Sequence, residues 1–279
     1  MSTARTWSGG GKERLFSALA VGLPAALALA LCLYEIGARS LWLDEAASVA
    51  IASQHGGALG AALAHEGGSM LGYYALLHVL ISLFGNGAVL IRLPAALAAA
   101  AAVALIGQLG LCLFGRRVAF VAGLLAAVSL TLVYWGQNAR GYTLMVAFIC
   151  GSFLAFVSLV SARERTWLLW LVYVILTAAA AYAGLEAILV LPAQLIVLAW
   201  YRHRLRATLL AISAIALCCV PLLVLAGQRG SGQLFWVPRP EAKSLKHVLE
   251  SLASSGLEPS FYTGTCLLYT SPSPRDRQK

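Results

Sequence analysis

Six stretches of this chain run without a charged side chain for roughly 17–22 residues each, the length a helix needs to cross a bilayer. They are 15–34, 93–114, 118–135, 141–162, 166–182 and 207–227, and 185–201 joins them if Glu186 sits at its outer end. In hydrocarbon each backbone N–H and C=O must be satisfied within its own segment, so such runs fold as helices. Composition agrees: only 11% of residues are charged, against about 25% in soluble domains. The expected fold class is an all-α polytopic membrane protein with about seven transmembrane helices.

The net charge of +9 raises nucleic acid as a partner. The arginines instead fall in short clusters between apolar runs, the pattern that sets membrane orientation, and no basic face is interleaved with aromatics. No nucleic-acid partner is expected. Six cysteines are present, five of them inside apolar runs, with no CxxC and no zinc-like spacing. They read as small buried hydrophobes.

One apolar segment, 71–84, has only 14 residues, too few to cross. If it lies on the outer surface, Arg116, Arg117, Arg163, Arg165, Arg202, Arg204 and Arg206 all fall on the side of Arg5, Lys12 and Arg14. If it crosses, those seven fall outside, against the positive-inside rule. The expected organisation is therefore a cytoplasmic N-terminus at 1–14 and a transmembrane module at 15–227, with a large first outer loop at 36–91. An extracytoplasmic segment at 228–265 follows. The tail 266–279, CLLYTSPSPRDRQK, resembles translated adaptor sequence, which makes a truncated gene the expectation.

Chemistry concentrates in the first outer loop. Asp44 and Glu45 follow the first span. Neighbouring side chains on a helix point about 100° apart, so the two are not expected to share a proton. They can cap a helix N-terminus, or one can act as general base on an acceptor hydroxyl. Trp42 beside them reads as an interfacial aromatic. Glu66, brought by Gly67 and Gly68 to the start of the 71–84 segment, is the candidate ligand for a divalent metal ion, with His55, His65 and His78 in the same loop. Tyr74 and His78 share a face at i, i+4, and with Tyr73 they form either an aromatic belt at the headgroups or a platform for a sugar. Arg140, with Tyr142 beside it, either snorkels to lipid phosphate or clamps a substrate phosphate with paired hydrogen bonds. Arg92 is a further substrate-binding candidate, with Arg229 and Arg239 after it. Glu186 either snorkels or faces the same cavity.

Five blocks in order carry a resemblance: SLWLDEA, EGGSMLGYYALLHVLISLFG, IRLPAALAAA, LFGRRVAFVAGLLAA and YWGQNARGYTL. Together they resemble the GT-C membrane glycosyltransferases, and within them the bacterial group related to dolichyl-phosphate-mannose protein mannosyltransferases and lipid A aminoarabinose transferases. LFWVPRP at 234–240 is similar to a later loop of that group. The resemblance implies a sugar donor carried on polyprenyl phosphate and a glycan, lipid or protein acceptor. It also implies catalysis by Asp44 with Glu45 as neighbour, at the extracytoplasmic face of a bacterial plasma membrane. The sequence departs from the pattern at Asn138, where relatives often carry an acid, and at Gly184, where they often carry histidine. A transporter or channel with Glu186 as coupling acid is the alternative.

Overall fold

A computed structural model describes residues 11–161, 167–200 and 205–229. The described residues form helices and turns, with no strand among them. In order the helices are α1 (Gly11–Leu33), α2 (Leu43–Ala52), α3 (Gly56–His65), α4 (Leu71–Phe84), α5 (Ala88–Phe114), α6 (Arg116–Ala127), α7 (Leu130–Gly136), α8 (Tyr142–Ser161), α9 (Trp167–Ala183), α10 (Val190–Trp200) and α11 (Leu205–Arg229). A 3-10 turn, Leu185–Leu189, leads into α10. The segments 228–265 and 266–279 lie almost wholly outside the described residues, as do Arg5, Arg163, Arg165, Arg202, Arg204 and Arg239.

Four helical segments are long and apolar enough to cross a membrane: Gly11–Leu33, Ala88–Phe114, Tyr142–Val160 and Arg206–Gln228. A fifth is available if α6 and α7 count as one span, but they meet at a bend of 60°. The run 118–135 is therefore broken. Ser129 takes an extended backbone (φ −62, ψ 117), which ends one helix and starts the next. Trp167–Ala183 and Leu185–Val197 are apolar but shorter. The seven expected runs are all largely helical, and the described residues support four or five of them as spans by length and composition.

The helices pack through small residues. α5 turns Ala95, Ala96, Ala99, Ala102 and Gly107 into the bundle, and α9 turns Ala178, Ala180 and Ala181. Small side chains allow the close backbone approach that packing in lipid depends on. Large apolar side chains point outward, Leu97, Leu125, Ile175 and Leu210 among them. A surface of that kind suits lipid contact rather than water.

Two ends of the bundle differ. α1 begins beside the start of α6, where the Arg116 guanidinium lies 5.4 Å from the Phe16 ring centre. At the other end of α1, Gln137 donates to the carbonyls of Leu31 (2.9 Å) and Tyr34 (3.1 Å). That second end also gathers α2, the start of α4, the start of α5 and the turn between α7 and α8. The reversal between α3 and α4 needs left-handed backbone at Gly67 (φ +62), Gly68 (φ +76) and Met70 (φ +54). Gly68 lies against the backbone of Leu222, a carbonyl oxygen 3.3 Å from where its Cβ would stand, so α11 reaches this end too.

The turn between α7 and α8 is held tightly. A Cβ on Gly141 would stand 2.6 Å from the Ala183 carbonyl oxygen and 3.1 Å from the Tyr73 Cβ. Gly141→Ala should destabilise the protein by about 1–3 kcal/mol through this overpacking, read as an earlier thermal unfolding midpoint in detergent.

Candidate active site

The site is built on two carboxylates that the chain sends in opposite directions. α2 starts at Leu43, so Asp44 and Glu45 both lie in its first turn, where the helix dipole favours negative charge. Glu45 turns inward and is fully buried (0% exposed). Its carboxylate receives the Arg92 guanidinium side-on, with Nε donating to Oε1 at 2.8 Å and Nη2 donating to Oε2 at 2.6 Å. The Ala139 N–H also donates to Oε1, at 2.8 Å. Arg92 is completed by the carbonyls of Ile36 (2.7 Å), Arg39 (3.0 Å) and Ser40 (3.2 Å). This ion pair is fully hydrogen-bonded, the condition under which buried charges are tolerated.

Glu45 and Arg92 were both expected to face chemistry. With 0% and 3% exposure and their polar atoms committed to each other and to backbone, neither presents a free atom to a substrate. Their geometry is that of a clamp joining α2, α5, the segment after α1 and the α7–α8 turn.

Asp44 turns outward, with its side chain 42% exposed. The Arg140 Nη2 approaches Asp44 Oδ2 at 3.9 Å, a looser contact than the 2.6 Å pair beneath it. Arg140 donates to the Tyr142 hydroxyl at 3.4 Å and lies 5.6 Å from that ring's centre. Burial opposes the Arg140 charge, but the Tyr142 hydrogen bond and nearby Tyr74, Tyr142 and Asp44 outweigh it, so its pKa is raised. Trp135 packs on Tyr142 (centroids 4.4 Å) and Trp42 on Trp135 (6.4 Å). Trp42 immediately precedes α2. The contacts thus close a ring: Asp44, Arg140, Tyr142, Trp135, Trp42 and back along the chain to Asp44.

The tyrosines of α4 are placed differently from expectation. Tyr73 is fully buried, its hydroxyl donating to the Ile91 carbonyl at 3.4 Å, and Tyr74 is 3% exposed. Both belong to the core beneath the site, with Ala52, Met70, Leu77, Ile91 and Ala139. Neither stands in a belt at the headgroups, because α2 covers this face of α4. His78 shares that face, as the i, i+4 spacing predicts, and its Nδ1 lies 2.8 Å from the Ala52 carbonyl of α2. A carbonyl only accepts, so Nδ1 carries the proton. Burial raises the Tyr74 hydroxyl pKa, with the Arg140 charge opposing and Glu66 adding to the rise.

Glu66 caps α3, with its carboxylate 3.9 Å from His65 Nδ1. Among the described residues no three His, Cys, Asp or Glu side chains converge on a point that could hold a metal ion. The two positions where the pattern departs have structural occupants. Asn138 is buried and its amide donates to the Tyr134 carbonyl at 2.5 Å. A Cβ on Gly184 would stand 2.6 Å from Met145 Sδ, which leaves histidine no room without repacking. Glu186 lies exposed on the 3-10 turn rather than within a span.

The dolichyl-phosphate-mannose-protein mannosyltransferase family model matches residues 70–225, more than half of the chain. The chain belongs to this family. It is a membrane glycosyltransferase of the GT-C type, and the family implies a lipid-linked sugar donor. The match covers Arg92, Arg140 and Tyr142, while α2 precedes it. No curated protein and no solved structure matches the chain.

Sequence spacing missed Trp135, because it sits in an apolar run and only the α6–α7 bend brings it to the ring. The buried pair predicts a double-mutant pattern. Removing one partner of such a pair costs about 3–5 kcal/mol. Glu45→Leu or Arg92→Leu alone should therefore unfold or strongly destabilise the protein, and the double variant should recover part of the loss in the same thermal melt.

Proposed function

We propose that this protein transfers a sugar from a polyprenyl-phosphate donor to an acceptor hydroxyl, with Asp44 as general base and Arg140 as phosphate ligand. The observation that carries the reading is the division of the carboxylate pair. Glu45 is consumed by the clamp, and Asp44 is left exposed beside the half-buried guanidinium of Arg140.

In the reaction Asp44 accepts the acceptor's O–H proton as its oxygen bonds to the anomeric carbon. The bond from that carbon to the phosphate oxygen breaks on the opposite face, and polyprenyl phosphate leaves with the electron pair. The anomeric centre inverts. Arg140, charged at any working pH, offsets the negative charge that gathers on the leaving phosphate. The loose 3.9 Å contact leaves both Asp44 and Arg140 able to exchange each other for substrate. No step here uses a metal ion.

An apolar pocket of about 250 Å³ supports the lipid carrier. It is lined by Ile106, Leu132, Val146, Trp135 and Tyr142 among others. A prenyl chain lying there would place its phosphate beside Arg140, which stacks on Tyr142. A larger open groove of about 590 Å³, between α4, α5 and α8, is lined by leucines and alanines and carries no polar group suited to the chemistry.

Orientation follows from charge. Lys12, Arg116, Arg117 and Arg206 gather at the end of the bundle away from Asp44. By the positive-inside rule this charge supports a cytoplasmic location for that end and an extracytoplasmic one for the ring. In a cysteine-free background, a membrane-impermeant thiol reagent applied to intact cells should label Ser53→Cys and spare Arg116→Cys. The reverse labelling would overturn the orientation.

Membranes containing the protein should transfer radiolabelled mannose, or another sugar of a small panel, from polyprenyl phosphate. Asp44→Asn should lower that rate by on the order of 100- to 10,000-fold. Arg140→Lys should lower it less than Arg140→Ala. Undiminished transfer by Asp44→Asn would remove the base from the mechanism.

A further inference from the structure

Among the described residues, two buried donors at this site have no hydrogen-bond partner: Trp42 Nε1 and Arg140 Nε. A buried indole N–H ordinarily finds an acceptor, and an unsatisfied one in a folded protein calls for an explanation. The Arg140 donor is answered by the phosphate of the proposed donor. Trp42 has no such answer among the described residues.

Its placement suggests one. The Trp42 backbone carbonyl accepts the Ala46 N–H at 2.9 Å, opening the first turn of α2. The residue is therefore fixed relative to Asp44, two positions along. Its ring is held at 46° against Trp135, which in turn stands at 62° to Tyr142. Aromatic rings, an unpartnered N–H donor, a carboxylate and a guanidinium thus lie along one chain of contacts. That combination suits a pyranose, whose C–H faces lie against aromatic rings while its hydroxyls take single hydrogen bonds. An apolar chain alone would leave the indole donor unsatisfied, and a free phosphate would leave the ring faces bare.

We infer that Trp42 is a specificity residue, its indole N–H donating to a hydroxyl of the sugar carried by the lipid donor. The inference rests on the proposed function of the same site. Trp42 holds the sugar, Arg140 holds its phosphate, and Asp44 stands between them at the acceptor side. A donor built for one oxygen discriminates strongly against ligands that lack it, because the donor then stays unpaired.

The test uses two probes on the full chain in nanodiscs: dolichyl phosphate mannose and dolichyl phosphate without a sugar. Trp42→Phe keeps the ring and removes the N–H. It should weaken binding of the mannosyl lipid about tenfold, the scale of one hydrogen bond, and leave binding of the bare phosphate lipid unchanged. Equal weakening of both probes, or none, would overturn the inference and leave Trp42 a packing residue. A second measurement needs no substitution. With ¹⁵N-labelled tryptophan, the wild-type Trp42 indole resonance should shift with the mannosyl lipid and stay in place with the bare one. Its staying in place with both also overturns the inference. If the wild type binds neither probe, the lipid-donor reading itself fails and Trp42 falls with it.

Discussion

The arrangement at the functional end depends on one buried ion pair. Glu45 and Arg92 bring four separate segments to a point: the residues after α1 through three carbonyls, α2 through the carboxylate, α5 through the guanidinium, and the α7–α8 turn through the Ala139 N–H. Taking both charges out of water is costly, and the cost is offset only when the geometry and the surrounding hydrogen bonds are complete. Here Arg92 spends its donors on a carboxylate and three carbonyls, so few alternative packings of these segments satisfy the same groups. Such a pair specifies one arrangement more than it adds stability.

That clamp sets the position of the neighbouring carboxylate. Because adjacent helical side chains diverge by about 100°, burying Glu45 forces Asp44 to the rim. The same carboxylate that holds α2 also holds the backbone of Ala139, one residue before Arg140. The distance from Asp44 to Arg140 is therefore set from below, by the bond between their chain neighbours Glu45 and Ala139. An exposed acid and a half-enclosed cation can remain apart at 3.9 Å because their backbones are fixed independently of any attraction between them. In the proposed reaction, support of this kind keeps Asp44 and Arg140 in place without consuming them.

The aromatic wall shows a second constraint. Tyr73 and Tyr74, exposed aromatics by sequence pattern, lie in the core because the short helix α2 covers them. Trp135 and Tyr142, inside or beside apolar runs, instead border the site, because α7 leaves α6 at 60° and carries Trp135 across. No proline or glycine marks that bend. Only Val128 and Ser129 stand at it, and a serine in an apolar run has many other uses. The family membership and the helical membrane architecture set the frame, while the cover provided by α2 and the break at Ser129 decide which aromatic rings face outward.

The helices were legible in the sequence because their cause is local. A run of apolar residues without charge must satisfy its own backbone, and the i to i−4 ladder does so within a few residues. The carboxylate pair, Arg140 and the short 71–84 helix were legible for the same reason, as interruptions of that pattern. The resemblance put the base on Asp44, and helix geometry parts the two side chains, but what Glu45 binds could not be read there. Glu45 is chosen by Arg92, 47 residues away, and by the N–H of Ala139, 94 residues away. Neighbours that distant meet only when the bundle is assembled, so the partners of Glu45, and with them its burial, belong to the tertiary structure alone.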